Sequence, residues 1–302
     1  MTQMNMFDIK NGDYIIVSNI NKLMKEGKIS MILENIEELE KMSKEIRKGI
    51  IEEVYSHSSG HPGGSLSIAD ILTVLYFKEM KIDEKNPKWE DRDRLVLSKG
   101  HCSPALYSVL AHRGYFPLED LKTFRDINSY LQGHPDMKKI PGVDMTTGSL
   151  GQGLSAANGM AIAGKMGKKD YRVYCILGDG EIEEGQVWEA AMASSKYKLD
   201  NLCVIIDNNN LQIDGKIEEV MNSYPIDEKF RSFGFEIIKI DGHNVQEIID
   251  AFDVAKNIKD RPVCIIAKTI KGKGISYMEN QVGWHGKAPN EEQYIEAIKE
   301  LS

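Results

Sequence analysis

Cysteine is scarce in this chain, and its four cysteines lie far apart in the sequence. They are Cys102, Cys175, Cys203 and Cys264, and they form no Cys-x-x-Cys pair. This argues against a disulfide framework and against a cysteine-ligated zinc site. Three of them lie inside apolar, strand-like runs, where buried free thiols are expected. The sequence therefore predicts a protein of a reducing, cytoplasmic compartment.

Long apolar runs and long basic runs are both missing from the 302 residues. No stretch approaches the roughly 20 apolar residues that a membrane-spanning helix needs. The first residues also lack the basic and apolar parts of a secretory signal. The net charge is −8, with charges of both signs spread along the chain. We therefore expect neither a membrane nor a nucleic acid as a partner.

What the chain does have is a regular alternation of helix-like and strand-like segments. With 41% hydrophobic residues, it can build a substantial core. The alternation predicts an α/β fold with a mostly parallel sheet and helices on both faces. We expect a single domain over residues 33–302, preceded by an N-terminal extension, residues 1–32, whose role the pattern does not indicate.

The apolar periodicity places the individual elements of this fold. The predicted helices cover residues 33–55, 67–80, 104–112, 154–165, 184–198, 245–257 and 291–301. The predicted strands cover residues 94–97, 171–177, 202–207, 235–240 and 263–267. Loops are expected at residues 56–65 and 128–153. Residues 14–17 and 20–25 are weaker candidates for a strand and a helix.

Two polar loop tips follow two of the predicted strands. Gly178-Asp-Gly180 ends one strand and Asn208-Asn-Asn-Leu211 ends the next, so a βαβ unit would bring both tips to one edge of the sheet. Mg²⁺ prefers oxygen ligands and usually shares its shell with substrate phosphates. The carboxylate of Asp179, the amide of Asn209 and the carbonyl of Leu211 therefore predict a Mg²⁺ site that carries a diphosphate. For Gly-Asp-Gly alone, the alternative is an ordinary turn after a strand.

Four histidines lie beside glycine in predicted loops, where an imidazole can face a ligand. They are His61, His101, His134 and His285. Together with the metal and diphosphate motif, they predict an active site whose histidines move protons. For any one of them the alternative is a loop residue with a satisfied hydrogen bond. Their spacing matches no zinc pattern.

The other three histidines have weaker claims on this site. His57 is expected either beside His61 or at a helix end. His112 falls in a last helical turn, where a cation is favourable, so we expect a structural role. His243 lies in a turn before a helix, and its role stays open. The glycine-rich loop 271–275 resembles a phosphate-binding loop, and here we expect it to help enclose a cofactor.

Several motifs, in one order along the chain, resemble the diphosphate-binding half of transketolase. They are Ser59-Gly-His-Pro-Gly-Gly64, Ser98-Lys-Gly-His101, Gly133-His-Pro135, Thr146-Thr-Gly-Ser-Leu-Gly-Gln-Gly153, Gly178-Asp-Gly180, Glu184-Gly185 and Asp207-Asn-Asn-Asn-Leu-Gln-Ile-Asp-Gly215. The resemblance covers residues 36–290. It implies the thiamine-diphosphate-binding (PP-domain) fold and two cofactors, thiamine diphosphate and Mg²⁺.

The resemblance also implies a role for each motif residue. Mg²⁺ would be bound by Asp179, Asn209 and the Leu211 carbonyl. The organic cofactor would be bound by His101, Gly148, Ser149, Leu150, Gly178, Gly180, Glu184 and Asn209. The reacting carbon and the sugar would be surrounded by His61, His101, His134 and His285. Glu184 would also lie at a subunit contact; the alternative is a solvated charge near a helix start.

A transketolase also needs a pyrimidine-binding domain, and no second set of βα units follows in this sequence. The resemblance therefore implies a split enzyme. This chain and a separate C-terminal pyrimidine-binding subunit would form an α2β2 heterotetramer that passes a two-carbon ketol unit between sugar phosphates. The alternatives are a relative acting on another, for example branched, sugar, the α subunit of a 2-oxo acid dehydrogenase, and a non-catalytic subunit that keeps only the fold.

Overall fold

The computed structural model describes residues 32–33 and 35–302. The elements predicted at residues 14–17 and 20–25 lie outside these described residues. Residues 33–302 form one unit. None of the described helices has the length and apolar character that crossing a lipid bilayer requires.

A five-stranded parallel sheet lies at the centre of the described residues. Its strands are β1 (Arg94–Leu97), β2 (Val173–Gly178), β3 (Leu202–Asn208), β4 (Glu236–Asp241) and β5 (Val263–Lys268). Their order across the sheet is β1-β2-β3-β5-β4, and every neighbouring pair is parallel. The predicted strands are all present, and β1 has the predicted bounds.

Helices connect these strands and cover the sheet. They are α1 (Ile36–Ser56), α2 (Pro62–Leu66), α3 (Ala69–Val74), α4 (Ser103–Arg113), α5 (Gly153–Met166), α6 (Gly185–Lys196), α7 (Ile217–Val220), α8 (Ile226–Ser232), α9 (Val245–Asn257) and α10 (Glu291–Glu300). Short 3₁₀ helices lie at Gly100–Cys102, Leu118–Thr123, Glu181–Glu183 and Val282–Trp284, and a π-helical turn lies at Leu75–Glu79.

Alternate residues of the central strands face opposite helix layers, as the pleat of a strand requires. Val173, Cys175 and Leu177 of β2 belong to the apolar core that α5 and α6 help to form. On the opposite face, the ring of Tyr174 packs edge-on against Phe252 of α9, with 5.6 Å between ring centroids. Helices therefore cover both faces, and the predicted α/β fold is confirmed.

The region before β1 differs from the prediction. Residues 62–65, predicted as loop, belong to the buried helix α2 (Pro62–Leu66), which begins at Pro62, where a proline is favoured. The predicted helix 67–80 is divided into α3 and the π-helical turn. The Ser67 hydroxyl donates to the Gly64 carbonyl and to the Asp207 carboxylate. These bonds tie the chain at the junction of α2 and α3 to the sheet, a tertiary constraint that local periodicity does not contain.

One carboxyl group in α1 is buried at a cost to stability. Glu53 is 0% exposed, and neither of its carboxyl oxygens has a hydrogen-bond partner among the described residues. Burial, assisted by the neighbouring Glu52, raises the pKa of Glu53 well above its usual value. The side chain is therefore a neutral, unsatisfied acid in the core.

Replacing Glu53 by methionine is expected to stabilise the protein by about 1–3 kcal/mol, the usual cost of an unsatisfied buried polar group. Denaturant unfolding checks this. Glu52→Met is the control, because Glu52 is partly exposed and pairs with Lys122, so its replacement should change stability by less than about 0.5 kcal/mol. A lower unfolding midpoint for Glu53→Met than for the unaltered chain would contradict the account.

Candidate active site

The carboxyl ends of β2 and β3 bring the two polar tips together. Gly178, the last residue of β2, is paired with Asp207 of β3. The backbone N–H of Asp179 donates to the Asp207 carbonyl at 3.3 Å, and Asn209 directly follows the end of β3. The two tips meet at one edge of the sheet, as the spacing of the motifs predicted.

Backbone N–H groups of both tips hold the Asp179 carboxylate. Gly180 N–H donates to Oδ1 at 3.0 Å, and Asn210 N–H donates to Oδ2 at 2.5 Å. Burial, followed by the nearby Asp207 carboxylate, raises the pKa of Asp179 to about 7. A cation beside the group would favour its charged form, so the environment of Asp179 suits a metal ligand.

Asp207 orients the side chain of Asn209. The Asn209 amide nitrogen donates to Oδ2 of Asp207 at 2.9 Å, and its Oδ1 accepts from the Leu211 N–H at 3.1 Å. Because the amide nitrogen is committed to Asp207, the amide oxygen is the atom that faces the loop. An oxygen in this position is what a hard cation requires.

A buried ion pair lies next to the tips. Lys99 Nζ donates to Oδ2 of Asp207 and, at 2.8 Å, to the Gly64 carbonyl. The hydroxyls of Ser67 and Thr269 donate to the same carboxylate. Burial alone would lower the pKa of Lys99, but Asp207 outweighs it and the pKa lies above its usual value. The pair is therefore charged, and its hydrogen bonds satisfy both groups.

Lys271 brings a second ammonium to the site. Its Nζ donates to the Leu211 carbonyl at 3.2 Å and lies 2.9 Å from Nδ1 of His285. Burial lowers the pKa of Lys271. The Lys271 ammonium thus places a positive charge at the Leu211 carbonyl, which was predicted to bind a metal ion. The loop 271–275 thus reaches the site through this side chain.

The oxygen atoms at the strand tips fit a Mg²⁺ ion that a ligand helps to hold. Within residues 32–33 and 35–302, no three side chains of His, Cys, Asp or Glu form a group that could hold a metal. The tips instead offer one carboxylate (Asp179), one amide oxygen (Asn209) and one backbone carbonyl (Leu211). Mg²⁺ is usually bound by few protein oxygens, with substrate phosphates completing the shell.

Glu181 joins the diphosphate motif to the loop before α5. One oxygen of its buried carboxyl accepts from the Ser98 hydroxyl and from Gly151 N–H, the latter at 3.1 Å. The other accepts from Gly178 N–H at 3.1 Å. These bonds fix the backbone of Gly151 beside the end of β2.

Three of the predicted histidines form a triangle. The ring centroids of His61 and His101 are 5.2 Å apart, those of His61 and His285 5.4 Å, and those of His101 and His285 5.3 Å. His61 directly precedes α2, and His101 lies within the 3₁₀ helix Gly100–Cys102 and not in a loop as predicted. Chain segments far apart in sequence therefore converge on one point.

The triangle is electrically neutral at pH 7. Burial is the main cause that lowers the pKa of His61 and His101 to about 4 and that of His285 to about 3. The Lys271 ammonium lowers all three pKa values, and neighbouring imidazoles lower those of His61 and His285. At His101 the Lys99 ammonium also lowers the pKa, while the carboxylates of Glu181 and Asp207 raise it. Each ring can then accept one hydrogen bond and donate another.

His134 lies beside Gly148, the first residue of the segment 148–150 that was predicted to bind the organic cofactor. A Cβ added to Gly148, whose φ is +144°, would lie 2.9 Å from Cδ2 of His134, so only glycine allows this contact. Ser149 and Leu150 follow on the exposed side of the loop. Leu150 leaves 37% of its surface open to solvent, an apolar surface available to a ligand or another chain.

Glu184 and Gly180 both pack closely against residues of neighbouring loops. Glu184 directly precedes α6 and is exposed, and a Cβ added to Gly151 would lie 2.7 Å from its Cβ. Glu184 therefore borders the same loop, and its assignment to a subunit contact stays a prediction. A Cβ on Gly180 would come within 3.2 Å of Gln212, so the backbone there is closely packed.

The remaining histidines are structural. His57 ends α1, as one of its two predictions had it. Nδ1 of His112 bonds the Ser108 carbonyl at 2.8 Å, and burial lowers the pKa of His112. The lowered pKa disfavours the charged ring that an interaction with the helix dipole requires, and the bond to Ser108 fits a structural role.

His243 holds the backbone next to Lys271. Ile270 N–H donates to Nε2 of His243 at 2.8 Å, which leaves Nδ1 as the protonated nitrogen that donates to Asp70 at 2.7 Å. Asp70 is also paired with the buried Arg47. His243 thus supports the site through the residue before Lys271 and does not contact the histidine triangle through these bonds.

Comparison with known proteins identifies the family of this chain. Residues 39–301 match the transketolase thiamine diphosphate binding domain. The chain belongs to the transketolase family. A transketolase chain is a ketol transferase that binds thiamine diphosphate. The family therefore confirms the predicted ketol transferase and the predicted thiamine diphosphate cofactor.

Two relatives of this transketolase chain have nearly its own length. The 6-deoxy-6-sulfo-D-fructose transketolase subunit of Clostridium sp. (strain MSTE9) is 48% identical over 264 residues, which are 87% of this chain and 96% of the relative. An apulose-4-phosphate transketolase subunit of Phocaeicola vulgatus is 45% identical over 267 residues, 88% and 95% of the two chains.

Other transketolases are much longer than this chain. Human transketolase is 42% identical over 271 residues, 89% of this chain but 42% of its own length. The crystal structure of transketolase from Campylobacter jejuni superposes with a TM-score of 0.84 at 39% identity, covering 89% of this chain and 43% of that one. The chain thus spans about two fifths of these relatives.

The sequence patterns missed three residues of this transketolase site: Lys99, Glu181 and Lys271. Each stands inside or directly beside a motif, Lys99 in Ser98-Lys-Gly-His101 and Glu181 after Gly-Asp-Gly. A charged residue at the end of a buried strand must find a partner, and this signal was available for Lys99 and Glu181.

Proposed function

We propose that this chain is the N-terminal, diphosphate-binding subunit of a split transketolase. Together with a separate C-terminal pyrimidine-binding subunit, it transfers a two-carbon ketol unit between sugar phosphates. The observation that supports this most directly is the meeting of Asp179 and Asn209 beside three neutral histidines, in a chain of the transketolase family.

The residues at the strand tips hold the two cofactors. Asp179, Asn209 and the Leu211 carbonyl would hold Mg²⁺, and the backbone of Gly178–Gly180 would hold the diphosphate. Lys271 would then release the Leu211 carbonyl and place its positive charge beside the diphosphate. Support comes from the 3.2 Å bond that this ammonium makes to the same carbonyl.

The histidines act on the substrate. Thiamine diphosphate, when bound, supplies the electron sink for cleaving the carbon–carbon bond. The His61 ring stands at one corner of the triangle and is neutral at pH 7, so His61 is the group that we assign to a substrate hydroxyl and its proton. Lys271 occupies Nδ1 of His285, which leaves its Nε2 for the substrate. His101 completes the triangle, and His134 orders the loop 148–150.

The second subunit completes the site in an α2β2 heterotetramer, with Glu184 and Leu150 on its contact surfaces. The relatives of nearly the same length are themselves named as subunits. We also propose residues 33–302 as the cofactor-binding domain and residues 1–32 as an extension. The four buried free thiols support a cytoplasmic location.

The identity of the sugar substrate is the part of the function that differs among the named relatives. The pentose phosphates are the first candidate donor and acceptor. A second candidate is a different modified or branched sugar, because the two relatives of similar length are named for 6-deoxy-6-sulfo-D-fructose and apulose-4-phosphate.

Turnover by purified components tests the proposal. The chain alone, and the chain mixed in equal amounts with a pyrimidine-binding chain of about the same length, are given thiamine diphosphate, Mg²⁺, an aldose phosphate acceptor and each donor in turn. We expect aldehyde release only from the mixture. Equal turnover by the pure chain alone refutes the split enzyme. A mixture that neither turns over nor binds thiamine diphosphate in calorimetry favours a non-catalytic subunit.

A further inference from the structure

A single arginine joins the chain segments that carry two of the site histidines. Arg125 follows the 3₁₀ helix Leu118–Thr123 and has a φ of +65°, a left-handed conformation that is uncommon for a residue with a side chain. Its backbone N–H donates to the Leu131 carbonyl at 2.8 Å. The chain therefore closes a loop at Arg125 just before it reaches His134.

The guanidinium of Arg125 contacts both histidine segments. Its Nη1 donates to the Ser59 hydroxyl at 3.1 Å, two residues before His61. A Cβ added to Gly133 would lie 2.6 Å from Nη2, 2.8 Å from Cζ and 3.0 Å from Nε. The guanidinium is therefore packed against the backbone of the residue before His134, and only glycine leaves it this room.

The surroundings hold the guanidinium in place. Its Cζ lies 5.5 Å from the ring centroid of Phe124. On the other side of the His134 segment, the Ser103 hydroxyl donates to the Gly133 carbonyl at 2.9 Å and the Tyr107 hydroxyl donates to the Gln132 carbonyl at 2.7 Å. The segment before His134 is thus fixed from both sides, with the positive charge on one of them.

We propose that Arg125 is a positioning residue of the active site: it ties the His61 segment to the His134 segment and places a fixed positive charge beside both imidazoles. The bond to Ser59 and the contact with Gly133 set the distance between the segments. Nε of Arg125 is buried and has no hydrogen-bond partner in the described part of the chain. The role in catalysis rests on the proposed function; the effect on the imidazoles does not.

The charges around the two histidines act with Arg125. Burial is the first cause that lowers the pKa of both, and a positive charge at Arg125 contributes in each case. The other groups that lower the pKa are His101, His134 and Lys271 for His61, and His101 for His134. For His101 and His285, the lysine charges that lower the pKa are those of Lys99 and Lys271. Loss of the Arg125 charge should therefore affect one pair of histidines and spare the other.

Titration of the histidine ring protons by NMR in the isolated chain tests this without any turnover. In Arg125→Gln, the pKa of His61 and His134 should rise by roughly 0.5–1 unit, while that of His101 and His285 changes much less. In Arg125→Lys, which keeps the charge, all four should stay near their values in the unaltered chain. Arg261→Gln is the matched control, because Arg261 is exposed and precedes β5. It therefore lies at the amino ends of the strands, away from the carboxyl ends where the site lies.

Two outcomes would overturn the inference. The first is that Arg125→Gln leaves the pKa of His61 and His134 unchanged. The second is that Arg125→Lys shifts these pKa values as much as Arg125→Gln does, which a purely structural role would predict. With the partner subunit, the acid limb of kcat/KM should shift upward in Arg125→Gln and return in Arg125→Lys. If Arg125→Gln raises the two histidine pKa values but the unaltered enzyme shows no turnover, only the proposed function is contradicted. If the unaltered enzyme turns over but the pKa values do not rise in Arg125→Gln, only the role of Arg125 is contradicted.

Discussion

Replacing Asp179 by alanine is expected to abolish Mg²⁺-dependent binding of thiamine diphosphate. The side chain supplies the one carboxylate at the strand tips, fixed by the N–H groups of Gly180 and Asn210. A methyl group cannot ligate a cation, and without the cation the diphosphate meets no divalent charge at this edge. Calorimetric titration of the chain and its partner with thiamine diphosphate, with and without Mg²⁺, measures the effect.

Asp214→Ala is the matched control for this experiment. Asp214 lies on the same loop, a few residues after Asn209, and is exposed. Its loss should leave binding within a factor of about two, since surface substitutions rarely change a free energy by more than about 0.5 kcal/mol. Circular dichroism should show that both variants are folded. Binding by a folded Asp179→Ala variant with unchanged affinity would exclude Asp179 as a metal ligand.

Replacing His61 by alanine is expected to lower turnover by roughly 10²-fold or more, the usual scale for a lost proton-transfer group. Binding of thiamine diphosphate should stay near normal, because His61 does not belong to the metal-binding tips. The reason lies in its position and charge: the neutral ring of His61 forms one corner of the histidine triangle. Steady-state kinetics with the partner subunit measures the change.

His57→Ala provides the comparison. His57 lies four positions earlier, is exposed and ends α1, so turnover of this variant should match that of the unaltered enzyme. If His61→Ala keeps full turnover, His61 has no part in proton transfer. If both variants lose activity together, the cause is the fold of the segment and not the imidazole.

Elements with a complete local signal were predictable from the sequence. The helix α9 has the predicted bounds, and its start is fixed by the Asn244 side chain, which accepts from two backbone N–H groups. The end of α4 at Gly114, with a φ of +92°, follows from the same kind of local rule. By contrast, α2 and the π-helical turn depend on burial against the rest of the protein, which no short window of sequence reports.

The site was predictable to the extent that sheet topology determines it. Consecutive strands of a βαβ unit are parallel, so Asp179 and Asn209, which follow the last residues of β2 and β3, were expected to meet. The histidine triangle was foreseen only as a set of residues, because its geometry depends on the end of β1, on α2 and on the segment after β5. Lys271 reaches the Leu211 carbonyl across 60 residues of sequence, a distance over which no pattern acts.

The pairing of buried charges is the part that the sequence did not indicate. Lys99 and Asp207 are separated by 108 positions, so the sequence shows that a charge beside a buried strand needs a partner but not which partner it has. Arg125 looks like one of many surface cations until Ser59 and Gly133 are seen around it. The burial of Glu53 was not predicted either, because the helical pattern of α1 gives no reason to expect an acid in the core.

A crystal structure of the chain and its partner with Mg²⁺ and thiamine diphosphate tests the central claim most directly. The account predicts one Mg²⁺ at roughly 2.0–2.1 Å, the usual distance to oxygen, from the Asp179 carboxylate, the Asn209 amide oxygen and the Leu211 carbonyl, with Lys271 moved off that carbonyl. A diphosphate bound elsewhere, or a metal ion that none of these three oxygens contacts, would contradict it.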